Sequence, residues 1–171
     1  MTAIEGEFQR HKSLADRAIA QLADGELGRR LASANSVATL VQHVGGNLKS
    51  RFTEFLTSDG EKPWRDREAE FADGGIARSE LVEKWEDGWR ALFAALQDLT
   101  DDHLSAAVSI RGVQLSVVEA LARSLAHTSY HVGQIVFMAR HIRGPEWRYL
   151  SIAPGQTAAY NAAPDKEKPA R

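Results

Sequence analysis

The chain of 171 residues contains no cysteine, which excludes disulfides, thiolate metal ligands and a cysteine nucleophile. Any metal site has to be built from His, Asp or Glu. Long apolar runs are also missing. None approaches the roughly 20 residues of a membrane span, and the acidic start Met1-Thr-Ala-Ile-Glu-Gly-Glu7 has no apolar stretch of the kind a secretion signal carries. A cytoplasmic protein without a membrane partner is expected. Charge of one sign is not in excess: 21 Lys and Arg face 23 Asp and Glu, the formal net charge is −2, and no dense basic block occurs, which argues against nucleic acid as a partner. Neither a glycine-rich phosphate loop nor a nucleophile–base pair can be recognised. What is present, 43% hydrophobic and 26% charged residues, suits one globular domain with a sizeable core.

Four segments carry helical periodicity, and the expected fold is all-α. The first runs from about Ile4 to Leu22, with Phe8, His11, Ala15 and Ala18 between them. The second follows Asn35-Ser36, both good N-caps, and carries Val37, Leu40, Val41, Val44, Leu48, Phe52 and Phe55 before Ser58-Asp59-Gly60. Gly45-Gly46 inside it costs roughly 1 kcal/mol per residue against Ala, so a close helix approach is expected to offset the loss. The third begins near Ser79 and includes Leu81, Trp85, Trp89, Leu92 and Leu96. The fourth opens on the capping box Ser116-Val-Val-Glu119 and stops at Gly144-Pro145, which makes it roughly 40 Å long. The link over residues 60–78 is long enough to cross over and favours a non-sequential four-helix bundle. Val108, Ile110, Val113 and Leu115 around Arg111-Gly112 suggest a small β-hairpin before the last helix. Trp147, Tyr149, Leu150 and Ile152 suggest a segment packed back on the bundle. The domain is expected to cover 1–163, with 164–171 a disordered tail.

The chemistry-bearing feature is His127-Thr-Ser-Tyr-His131. Imidazoles at i and i+4 stand on one helical face with Cβ atoms roughly 6 Å apart, close enough to share one transition-metal ion. On a helical wheel centred on Thr128, Leu121, Leu125, Val132, Ile135 and Ala139 form the core stripe, and His131 and His127 lie about 60° and 100° to one side. On the second helix, His43 flanks the apolar face in the same way, and if the two flanks meet it completes a facial three-histidine set with open positions for water or substrate. His11, on the seam of the first helix, is the alternative third ligand. His141 lies roughly 15 Å along the helix from His131 and is out of reach, and His103 belongs to a solvated turn. Asn47, Arg51, Tyr130 and Gln134 lie within a turn or two of the histidines as possible supporting groups. Trp85 and Trp89 are read as filling a core or an oligomer interface rather than stacking a ligand.

Gln42-His43-Val-Gly-Gly-Asn47 with Lys49-Ser50-Arg51-Phe52, the Asp59-Gly-Glu-Lys-Pro-Trp64 loop, the run His127-Thr-Ser-Tyr-His131-Val-Gly-Gln134-Ile135 and the ending Pro145-Glu-Trp-Arg-Tyr-Leu-Ser-Ile152 together resemble the DinB/YfiT-like superfamily of metalloenzymes, over about residues 3 to 161. The resemblance implies a four-helix bundle of up-down-down-up order, usually a homodimer, and a divalent metal, zinc or nickel, held by three histidines that map onto His43, His127 and His131. Relatives in other branches are thiol-dependent transferases and isomerases. A three-histidine site with an open position suits thiol transfer and hydrolysis alike. Three classes of function therefore stay open: a metal-dependent enzyme on an unknown small molecule, a metal-binding bundle without catalysis, and a helical interaction module with a degenerate site.

Overall fold

A computed structural model of the chain describes residues 1–72 and 75–164. Its elements are α1 (Thr2–Ile19), α2 (Val37–Phe52), α3 (Arg78–Asp98), the strands β1 (Ala107–Ile110) and β2 (Val113–Ser116), α4 (Val117–Arg143) and a short α5 (Thr157–Ala162). Helix α2 packs against α3 and α4, and α1 packs against α4. The tail expected at 164–171 lies outside the described residues except for Pro164.

Local chemistry sets the helix starts. Ser36 caps α2, its side chain accepting from the Thr39 amide at 3.1 Å. Ser116 caps α4, and Glu119 Oε2 accepts from the Ser116 amide at 2.7 Å, closing the reciprocal box. Gly144, at φ +52°, ends α4 with a conformation that favours glycine. The other ends differ from the periodicity. Helix α1 stops at Ile19 although Leu22 is buried, and α2 stops at Phe52 although Phe55 is buried, because Glu54 takes φ +51° and turns the chain out of the helix. Apolar spacing reports burial, and both chains of spacing run past the last helical hydrogen bond.

The core is a single cluster in which Phe8, Leu48, Trp89, Leu92, Leu121 and Ile135 are fully enclosed, each such apolar side chain contributing about 1.5–3 kcal/mol. The Phe8 ring meets Phe52 and Trp89 edge-on, both at 6.4 Å between centroids. Trp85 is also core, with its indole Nε1 donating to Asp16 Oδ1 at 2.7 Å, so α3 is pinned to α1 by a polar bond at the edge of the apolar layer. The close approach expected at the glycine pair is real. A Cβ on Gly45 would lie 2.7 Å from the Lys84 carbonyl oxygen, and one on Gly88 would lie 2.7 Å from the Gly45 Cα. Helices α2 and α3 thus cross backbone on backbone, a separation only glycine permits.

The hairpin forms with Ala107 opposite Ser116 and Ile110 opposite Val113. Its turn places Arg111 and Gly112 at φ +56° and +73°, the two positive angles of a type I′ hairpin. Asp59 organises this turn from the far side of the link. Its carboxylate accepts from Ser109 Oγ (2.6 Å) and from the amides of Gly112, Glu61 and Arg111 (2.8, 2.7 and 2.8 Å). Those donors, Ser109 first, hold its pKa far below the ordinary 3.8. A depressed carboxylate contributes stability that is complete above about pH 4 and is lost as pH falls toward the folded value. Asp59→Asn should therefore melt below wild type at pH 7, and the gap should close as the pH is lowered from about 4 to 2. Thermal scans across that range check it, and a gap independent of pH would show that the carboxylate charge is not what the turn uses.

After Gly144 the chain returns to the helices. Leu150 is buried and Trp147 packs on the core, while Tyr149 and Ile152 are largely exposed. The return is fixed by Gln21, whose side chain accepts from the Arg148 amide at 2.8 Å and donates to the Arg148 carbonyl at 3.0 Å.

Candidate metal centre

His43 projects from α2, and His127 and His131 project from α4, one turn apart on the side of the core stripe whose centre, Thr128, is fully buried. The flanks meet. The Nε2 of His127 lies 3.2 Å from the Nε2 of His43 and 3.2 Å from the Nε2 of His131, and all three residues present ligand atoms within 4.8 Å of one another. Two nitrogens 3.2 Å apart can both sit about 2.1 Å from one ion at an N–metal–N angle of about 100°, between the octahedral and tetrahedral values.

The opposite ring nitrogens decide what these contacts are. His43 Nδ1–H donates to Glu70 Oε2 at 2.9 Å, and His131 Nδ1–H donates to Gln134 Oε1 at 2.8 Å. In the neutral form of each ring, with the Nδ1 proton committed, Nε2 is a bare lone pair. If His127 Nε2 is protonated it can donate to one of them only, and the second 3.2 Å contact has no proton of its own; if it is unprotonated, three lone pairs converge. A cation among the three nitrogens removes the conflict, and the donor set of three neutral imidazoles suits zinc or another late divalent ion. Burial, followed by the charges of His131, His43, Arg65 and Arg51, pushes the His127 pKa down to about 4. Burial also lowers that of His131, with the Gln134 contact opposing and His43 adding to the shift. Both rings are neutral at pH 7, the form that binds metal.

Glu70 was not among the residues singled out from sequence. It comes from a single 3₁₀ turn, Ala69–Phe71, in the link between α2 and α3. Arg65, whose side chain is 2% exposed, grips it with Nε on Oε1 (2.8 Å) and Nη2 on Oε2 (2.9 Å). Burial pushes the Glu70 pKa up, but the bonds from His43 and Arg65 and the guanidinium charge outweigh it and hold the pKa below the usual carboxylate range. Gly46 makes the room: a Cβ there would overlap Glu70 Oε1. Gly45 and Gly46 thus do different work, the first facing α3 and the second facing this carboxylate. The one sequence signal for Glu70 is the second glycine of a pair whose expected role, a close helix approach, Gly45 alone fills.

The other expected residues are distributed as follows. Gln134 fixes the His131 ring. Tyr130 lies 4.9 Å ring to ring from His131 and is 64% exposed. Asn47 and Arg51 line a cavity beside His43 and His127, with Arg51 Nη1 bonded to the Gly60 carbonyl and to Glu61 Oε2. His11 is elsewhere, donating from Nδ1 to its own helix at the Glu7 carbonyl, 2.7 Å. His103 caps the turn at Thr100, accepting at 3.0 Å from that amide, and His141 is exposed.

Glu70→Gln should lower the affinity for a divalent ion about 10- to 100-fold, the usual effect of losing a carboxylate behind a ligating imidazole. Competition with a chromophoric chelator measures it, and an unchanged affinity would show that Glu70 serves only to neutralise Arg65.

Residues 1–156 match the family described as "Protein of unknown function (DUF1572)", and the chain belongs to that family. No curated protein and no solved structure matches it.

Proposed function

We propose that this DUF1572 protein is a divalent-metal-dependent enzyme acting on a small molecule, with His43, His127 and His131 as the metal ligands through Nε2 and with zinc or nickel as the ion. The observation that carries the proposal is the pair of 3.2 Å contacts at His127 Nε2, made by rings whose Nδ1 protons are held elsewhere. The resemblance to the DinB/YfiT-like superfamily supports it. The same resemblance, with α2 lying against both α3 and α4 and with the long 60–78 link, supports a four-helix bundle of up-down-down-up order.

When bound, the ion supplies Lewis acidity at a position the three rings leave open. The chain's own residues prepare that position. Glu70 and Gln134 hold the Nδ1 protons and fix the ring planes of His43 and His131, Arg65 locks Glu70, and the Phe71 ring, 4.9 Å from that of His43, shields it. Hydrolysis and thiol transfer both suit such a centre. Zinc- and nickel-loaded protein assayed with ester substrates, and with thiols plus an electrophilic acceptor, should show a substrate-dependent rate that a chelator abolishes and the ion restores. Full metal occupancy with no rate on either class would reduce the protein to a metal-binding bundle without catalysis.

The homodimer belongs to the same proposal. Tyr130, Gly133 and Phe137 form an exposed, largely apolar strip on α4, with Phe137 65% exposed, and it is the surface through which two copies would pair. Sedimentation equilibrium should give twice the 18.8 kDa chain mass; a monomer at tens of micromolar would remove the dimer from the proposal.

A further inference from the structure

Beside His43 and His127 lies a cavity of about 220 Å³, the volume of about seven waters. Arg51, Arg65, Arg67, Arg111 and Arg123 line it, and no carboxylate does. They arrive from four places: α2, the link after it, the hairpin turn and α4. Three carboxylates stand behind them. Glu61 accepts from Arg51 at 3.2 Å and Arg111 at 2.8 Å, Glu70 takes Arg65, and Glu68, itself 87% exposed, meets Arg67 at 3.1 Å. Arg123, one helical turn before His127, has neither ion pair nor hydrogen bond among the described residues. Five guanidinium groups stand against these three carboxylates and that of Asp59, which accepts from the Arg111 amide, and leave an excess of positive charge at the recess in a chain whose formal net charge is −2.

Exposed arginines on their own are ordinary solvated surface. Here two of the five are enclosed, Arg51 at 11% and Arg65 at 2% side-chain exposure, and Glu61 and Glu70 hold them in place at the recess wall. A concave site of one sign concentrates ligands of the other, and the guanidinium fork matches the planar oxygens of a carboxylate or phosphate.

We infer that the molecule acted on at the three-histidine centre is a small anion, whose carboxylate or phosphate is selected by this recess, with Arg111 and Arg123 as specificity-determining residues. The inference rests on the metal reading above and adds the substrate's charge class to it.

The test uses the full, untagged chain loaded with zinc, its zinc content measured for every variant. Calorimetric titration compares succinate, inorganic phosphate and the neutral isostere succinamide, in wild type and in the double variant Arg111→Glu/Arg123→Glu. Both side chains are exposed and neither is a proposed metal ligand; because a glutamate at 111 would face Glu61 and one at 123 would stand one turn from His127, Arg111→Gln/Arg123→Gln is titrated beside it and should lose the anion preference too. At least one anion should bind at least 10-fold more tightly than succinamide, that preference should fall by 10-fold or more in the double variant, and it should weaken with added salt. Which of succinate and phosphate binds identifies the anionic group. Equal binding of succinate and succinamide, no anion binding, or unchanged anion binding in a double variant that keeps its zinc would overturn the inference and leave the metal reading standing. Absence of zinc from wild type would remove the metal reading instead, and the same titrations on that metal-free protein would still decide whether the recess binds anions.

Discussion

Alanine at position 127 should lower the affinity for zinc or nickel by more than a hundredfold while leaving the helices intact. Zinc held by four protein ligands is worth about 10–16 kcal/mol, or about 3 kcal/mol per ligand, and each 1.4 kcal/mol is a factor of ten. His127 is the ligand to remove because its Nε2 is the one within 3.2 Å of both others. The fold should tolerate the change. The apolar neighbours on α4, Leu121, Val132 and Ile135, are untouched, alanine is the best helix former, and the substitution removes a ring whose Nε2 cannot satisfy both neighbours when no ion is present. Circular dichroism and metal content measured on one preparation are the check. A His127→Ala protein that keeps wild-type metal would break the three-histidine assignment, and one that loses its helical signal would make the site a structural one.

The other large effect is expected far from the chemistry. Gly88→Ala should destabilise the protein by about 2–4 kcal/mol, toward and beyond the upper end of ordinary overpacking, because the added methyl meets backbone that cannot rotate away. Its Cβ would come within 2.7 Å of the Gly45 Cα and closer still to the Gly45 carbonyl oxygen. Helices α2 and α3 would have to separate, loosening the contact between Trp85 and the glycine pair. Gly28→Ala is the control. It is exposed, with nothing within 4 Å of the new atom and no positive φ, so it should be neutral or stabilising by up to about 1 kcal/mol. Urea denaturation of the two variants separates the cases, and equal midpoints would mean that the crossing has slack the backbone distances do not suggest.

These two results bear on how far the sequence could be read. The capping box at Ser116 and Glu119, the stop at Gly144 and the shared face of His127 and His131 are local, set by residues within one or two turns, and local chemistry is what a sequence displays. His43 required one more step, that its flank meets theirs; the helical wheel left that conditional, with His11 as the alternative, and the family resemblance is what mapped His43 onto the set. The burial of Trp85 and Trp89 was legible from their spacing on the third helix. Glu70 and Arg65 were not. They lie in a link without periodicity, 27 residues from His43 in the case of Glu70, and a loop carboxylate has no pattern that distinguishes one holding an imidazole from one in solvent. The recess of arginines was invisible for a related reason: residues 51, 65, 67, 111 and 123 are scattered in the chain and share nothing until the hairpin turn and the link are folded together around Asp59. Helix α5, with no buried residue, left no apolar signal to read.

The central claim is that His43, His127 and His131 hold one divalent ion. Elemental analysis of protein produced without a histidine tag, incubated with zinc or nickel and dialysed against metal-free buffer, tests it most directly. The account predicts about one ion per chain in wild type and almost none in a His127→Ala/His131→Ala variant that remains helical. Wild-type protein that emerges folded and metal-free from both incubations would contradict it.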